Sequence, residues 1–194
     1  MDIVQTITNI TPFDWLVLGF CVLMFVLGFA QGVVRRLLGI AGVIFSFLLA
    51  ANLRDALGSF LASNWTQFPR EYSYMLAFGF LFVVFEVIFT IVIQSTYKPA
   101  PILAKYPVVD EVLGGLLGIV QALMIVGAGI VILDSFFRLP IGIGEQQIQL
   151  LKNLYEAVNE SNVVVVFRET LLPLFVAIVG PLLPSDIQAL YPRT

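Results

Sequence analysis

The sequence has no histidine, a single cysteine and charge on only 12% of its 194 residues. Without histidine there is no His-based nucleophile pair and no zinc site of the usual Cys/His kind. One cysteine forms no intrachain disulfide, and Cys21, set inside an apolar run, reads as a small packing residue. The scarcity of charge excludes more, because a soluble domain carries charge on about a quarter of its residues. The net charge of -3 arises from 10 Lys and Arg against 13 Asp and Glu. The basic residues are scattered, so no stripe is available to hold nucleic acid. Residues 1–12 include Asp2 but neither Lys nor Arg, so the basic start of a signal peptide is lacking and the first apolar run is expected to stay in the mature protein.

Apolar residues are abundant: 59% of the chain is hydrophobic, 17 residues are Phe, and the mean hydropathy is +0.98. The surroundings of most side chains are therefore lipid or other lipid-embedded helices. The fold class this dictates is all-α, a polytopic helical membrane protein with four transmembrane helices and a C-terminal amphipathic or interfacial helical segment. Residues 1–137 form the four-span domain, with spans at about 15–34, 37–53, 73–94 and 112–133. Residues 138–194 form the tail.

The first two spans are parted only by Arg35 and Arg36. A continuous helix over that distance would be nearly twice as long as the roughly 30 Å bilayer core is thick, at about 1.5 Å per residue. The stretch must be a hairpin, turning between Gly28 and Arg36, with the two guanidinium groups expected among headgroups. A polar connection is expected from Arg54 to Tyr72, and a proline-punctuated one from Ser95 to Pro107. Beyond the fourth span, Ile148, Leu151, Leu154, Tyr155 and Val158 recur at helical spacing, with Glu145, Lys152, Glu156 and Glu160 on other faces, which predicts an amphipathic surface helix. The run 163–183 is apolar but carries Arg168, Glu169, Pro173 and Pro181, so an interfacial or re-entrant helix is the first reading and a fifth span the second.

Polar groups inside apolar runs are the candidates for function. Glu86 is the one charge in the third span, and such a group costs about 2.5–3.5 kcal/mol at a helix centre on insertion scales. It either faces the bundle interior, where it binds a proton or cation, or is a hydrogen-bonded structural residue; the two readings weigh equally. Gly28-Phe29-Ala30-Gln31-Gly32 and Gly118-Ile119-Val120-Gln121-Ala122 share a pattern, with small residues four apart and a glutamine just before the second; Gly114 extends the later ridge. Helix packing through the small residues is preferred to substrate contact, and the likeness of the two stretches hints at internal pseudo-symmetry. Asp14 and Asp110 precede the first and fourth spans, where a carboxylate caps backbone amides and offsets the helix dipole.

At these residues the sequence resembles the colicin V production (CvpA) family of bacterial inner-membrane proteins, from Phe13 to Phe137 and more loosely to Leu183. That family shows an aspartate entering span one, an Arg-Gly-x-x-Arg-Glu hairpin, and an Asp-Arg-x-Leu-Gly-x-x-x-Gly-x-x-Arg-Gly stretch opening span four. Asp14 matches the first feature, Gly32 and Arg35 the second, and Asp110, Leu113, Gly114 and Gly118 the third. Gln31, Glu111 and Gln121 stand where the pattern has arginine, Arg36 where it has glutamate, and Ala122 where it has glycine.

The resemblance implies a multi-pass inner-membrane protein, without cofactor, associated with toxin production or export and with envelope maintenance. Some relatives carry a serine protease domain on the outer side, which supports placing both termini outside, as do Arg35, Arg36, Lys98 and Lys105 in the two short connections on the inner side. The chain has neither a Gly-x-Ser-x-Gly elbow nor any histidine, so a protease is not expected. Two functions remain. The preferred one is a non-enzymatic scaffold or accessory factor, whose candidate partners are the bilayer, a secretion or envelope protein and a second copy of itself. The alternative is a small oligomeric channel or proton- or ion-linked transporter, with Glu86, Gln31 and Gln121 along the path. An enzyme is the weakest reading. A transport role predicts that Glu86 faces a polar cavity, whereas a scaffold role allows it to face a neighbouring helix.

Overall fold

The computed structural model describes residues 10–65, 70–96, 107–137 and 149–191, and every element among them is helical. Helix α1 spans Pro12–Asn64, α2 Arg70–Thr96, α3 Pro107–Phe137 and α4 Gln149–Asn159. The last segment runs through α5 (Asn162–Val166), a π turn at Phe167–Leu171, α6 (Leu172–Val179), a 3-10 turn at Gly180–Leu182 and α7 (Ser185–Leu190). Among the described residues, four stretches are long and apolar enough to cross a membrane: Pro12–Asn64, Tyr72–Thr96, Pro107–Phe137 and Asn162–Leu182.

The first of these is two helices, as its length requires. At Gly32 the backbone takes φ 75° and ψ 175°, conformations essentially closed to residues with a side chain, and the helix breaks there into arms 12–31 and 33–64. Met24 and Arg36 would lie about 18 Å apart along one straight helix, yet Arg36 Nη1 sits 3.9 Å from Met24 Sδ. The arms therefore fold back on each other, within the interval expected for the turn. Thr11 caps the first arm and Asp14 completes a capping box, accepting from the Thr11 backbone amide at 2.9 Å. The second arm is longer than its apolar run, because the chain stays helical to Asn64 where a polar connection was expected from Arg54. The reason is that Arg54 is nine-tenths buried, against Asp186 and over the Phe78 ring, so it is part of the packed bundle.

Helix α1 is the hub, packing along both α2 and α3, which touch each other far less. Glycine sets how close α3 comes. A β-carbon on Gly114 would lie 2.6 Å from the Gly28 carbonyl oxygen and 2.8 Å from the Gly32 carbonyl carbon, and one on Gly118 would strike the Met24 carbonyl. Backbone thus lies on backbone, as small residues at this spacing allow. Around Phe47, Phe78 and Phe175 have ring centroids at 5.6 Å and Phe82 at 6.4 Å, tying the second arm to α2 and to the tail. Outward-facing side chains such as Trp15, Leu16, Phe80 and Ile91 are exposed and apolar, the surface a bilayer solvates.

The tail docks on the end of the bundle opposite Gly32. Asp14 accepts from the Ser161 hydroxyl and from the Val163 amide at 3.2 Å. Asp134, with none of its surface exposed, receives Arg168 through Nη2 and, at 2.8 Å, Nε, and the Tyr191 hydroxyl at 2.5 Å. Arg54 meets Asp186. Between these anchors the chain dips along the bundle, where Phe167 and Leu172 cover Gly127, and turns at Gly180–Leu182. Since Arg168 and Tyr191 share one carboxylate, the segment leaves at the level where it entered. Of the amphipathic stretch, Glu145 and Ile148 lie outside the described residues; Tyr155 stacks on Phe137 at 4.3 Å and Val158 is buried, while Lys152, Glu156 and Glu160 are exposed.

Two substitutions test these supports. Gly32→Ala is expected to lower bundle stability by about 1–3 kcal/mol from backbone strain alone, read as thermal unfolding in detergent; an unchanged transition would show that the turn does not need its left-handed residue. Asp134→Asn leaves Arg168 without its counter-charge, and removing one partner of a buried pair costs about 3–5 kcal/mol. Limited proteolysis should then cut first between residues 162 and 191, whereas cleavage spread over the whole chain would mean that the tail has no separate attachment.

Candidate functional site

A cavity of about 290 Å³ opens between the two arms of α1, α2 and α3. Its lining includes Gln31, Arg35 and Arg36 from the hairpin, Glu86, Thr90 and Gln94 from α2, and Gln121 from α3. These come together for local reasons. The break at Gly32 brings residues 31 and 35–36 to the junction of the arms, Gly39 leaves room for the Gln121 amide, and the antiparallel run of α2 against the second arm sets Glu86 opposite Ser46. Leu27, Thr90 and Gln94 are exposed, so the cavity has a mouth on the side of the bundle.

Arg36 is 4% exposed and turned inward, not placed among headgroups as expected from the sequence. The reversal of the chain at Gly32 points its side chain back along the first arm, where Nη1 donates to Gln121 Oε1 at 2.8 Å. Its Nε has no hydrogen-bond partner, and no carboxylate lies within salt-bridge distance of the group among the described residues. Glu86 is half-buried and accepts from the Ser46 hydroxyl at 3.2 Å. It thus meets both descriptions weighed for it, facing a polar cavity and holding a neighbouring helix. The arrangement places two arginines, a glutamate and three glutamine amides around one space, which suits binding a charged solute; no cluster able to hold a metal occurs among the described residues.

The other residues singled out by sequence lie elsewhere. Gly114 and Gly118 form the backbone contact with the first arm. Asp110 is buried with Oδ2 against Gly32, so the two features meet at the turn. Leu113 is exposed on the bundle surface, and Asp14 holds the tail at the far end. Sequence reasoning missed Arg36 as an interior residue and missed the Asp134, Arg168 and Tyr191 cluster altogether. Signals existed for both: Arg36 departs from the family pattern by reversal of charge, and Arg168 is a lone cation in an apolar run.

Positions 36 and 121 both depart from that pattern, and here their side chains are bonded to each other. No curated protein and no solved structure matches the chain. The family model described as Colicin V production protein matches residues 13–171, well over half of the sequence, and agrees with the membrane-spanning character of the helices. The chain is a multi-pass membrane protein and belongs to the colicin V production family.

Proposed function

We propose that the protein is a non-enzymatic accessory factor of the bacterial inner membrane, acting in toxin production or export and in envelope maintenance through contact with a secretion or envelope protein. The observation that carries this reading is the locked construction of the bundle. Backbone contact at Gly28, Gly114 and Gly118 closes one end, and the carboxylates of Asp14, Asp134 and Asp186 pin the tail across the other. A body so closed offers its surface and its docked tail to a partner. In this reading the two arms of α1, α2 and α3 are the four spans, the tail is re-entrant, and the end bearing both termini faces outward, with the Gly32 turn inside.

A second reading is favoured by one observation: Gln31, Glu86 and Gln121, each chosen from sequence as an intramembrane polar residue, line a single cavity with Arg35 and Arg36. In that reading the bundle binds and passes an ion or small charged solute, and Glu86 is the group on the path.

The readings part on two substitutions. The bulk of Gly118→Leu would force α3 off the first arm, whereas Glu86→Gln keeps the shape and a hydrogen-bonding partner for Ser46. If the accessory role holds, Gly118→Leu should abolish toxin export in cells and Glu86→Gln should leave it near the parental level, with no proton flux from either protein in liposomes under an imposed pH gradient. Flux from the parental protein that Glu86→Gln abolishes would overturn the accessory role in favour of transport.

A further inference from the structure

The tail covers only part of the groove between the second arm and α3. Phe167 and Leu172 lie on Gly127 and Phe175 packs on Phe47. By Leu182 the chain is back beside Asn52, whose side-chain amide donates to the Leu182 carbonyl at 3.0 Å. Beneath this dip lies a second cavity, of about 450 Å³. Val43, Phe47 and Ala128 form its buried wall, while Val120, Leu174 and Ile178 are exposed at its rim. None of the described residues lining it carries a polar side chain. A buried water needs several polar partners, so the space is not one that water fills. Residues 120–128 stand in the middle of α3, near the bilayer centre, where acyl chains end. The π turn is a second sign. In it the Leu172 amide donates to the Phe167 carbonyl, and Phe167 and Leu171 at its two ends both line the cavity. Such turns are rare and occur frequently at functional sites.

We propose that this cavity is a binding site for the terminal part of a phospholipid acyl chain, which supplies the wall missing between the second arm, α3 and the tail. The lining admits only an apolar occupant, and at this depth the surrounding medium is acyl chain. The volume falls within the range of about 300–1,000 Å³ that ligand pockets occupy. The way in is marked on α3, where Leu113, Leu116 and Val120 are exposed in a row on one face and lead from the Gly32 end to the rim. Ordinary lipid contact is made on the convex side of a helix. Here a seated chain is enclosed by three elements, and without it their facing side chains lose the dispersion contacts of close packing. The chain therefore supports the tail from below, at Leu174 and Ile178, as the carboxylates support it from the end. Among the described residues this cavity shares none with the one at Glu86, so the inference holds whether or not the bundle passes an ion.

The test reconstitutes the full chain in liposomes of phosphatidylglycerol that carry a photoactivatable diazirine at the end of one acyl chain, and maps the adducts by peptide mass spectrometry. Adducts on the parental protein should concentrate on residues 120–128 and 171–179, several-fold above those on exposed α2 residues such as Phe80 and Ile91. Moving the diazirine next to the ester should remove that concentration. Val120→Phe, which fills the rim from an exposed position, should lower the adducts several-fold, whereas Val87→Phe, equally exposed to lipid but on α2, should leave them unchanged. Adducts spread evenly over the lipid-facing surface, equal marking by the two label positions, or a pattern that Val120→Phe does not alter would overturn the proposal. So would a cavity left unmarked while the rest of the surface is labelled, the result expected if a second copy of the chain covers it. The adduct map of the parental protein decides the matter even should Val120→Phe fail to fold.

Discussion

The closeness of α3 to the first arm of α1 depends on there being no side chain at Gly28, Gly114 and Gly118, and much else in the bundle depends on that closeness. Lipid offers no hydrophobic drive for two apolar helices to meet, so contact has to come from surfaces that fit. Where Gly114 lies on Gly28 and Gly32, the helices meet through backbone, and the turn is held against Asp110. The approach fixes the height of α3 relative to the hairpin. Gln121, seven residues further along, is thereby delivered to Gly39 and Arg36. A polar cavity in the interior is thus a consequence of tight apolar packing about two turns away.

The opposite end is held by different means. There the bundle relies on carboxylates: Asp14 at the start of the first arm, Asp134 at the end of α3, and Asp186 against Arg54. Each is buried or half-buried and each is met by a donor from another element, which is the condition under which a charge is tolerated away from water. The two ends differ in kind, one sealed by shape and the other by charge. The Phe47 cluster lies between them and touches both α2 and the tail.

The architecture was legible in the sequence because hydropathy and length leave few choices. A run from Trp15 to Leu53 cannot cross a bilayer once, and the small residues around Gln31 and Gln121 marked the packing face correctly. The three polar residues Gln31, Glu86 and Gln121 stood out for the same reason, as interruptions of apolar runs. Their convergence was expected only in the transport alternative, and no spacing within one helix could decide it, since it depends on the register of three helices. The direction of Arg36 was misjudged because a guanidinium beside a turn can run toward headgroups or back along its own hairpin, and only the Gly32 geometry decides. Arg54 and Asp134 stand at the ends of apolar runs, where a charge ordinarily meets water, so nothing local marks them as interior. Their partners, Asp186 and Arg168, lie 132 and 34 residues away.

Asp134 carries a consequence for how such a protein is made. A chain entering a membrane from its N-terminus presents this carboxylate before the groups that satisfy it, since Arg168 follows 34 residues later and Tyr191 57 residues later. Until then, Asp134 lacks the Arg168 and Tyr191 donors that meet it in the closed bundle, and it stands at the water-facing end where it can still be hydrated. The hairpin and α3 can associate early through their glycines, but the far end stays open during synthesis. Its closing needs the last helices, which carry Ser161, Arg168, Asp186 and Tyr191, so the final segment acts as the fastener.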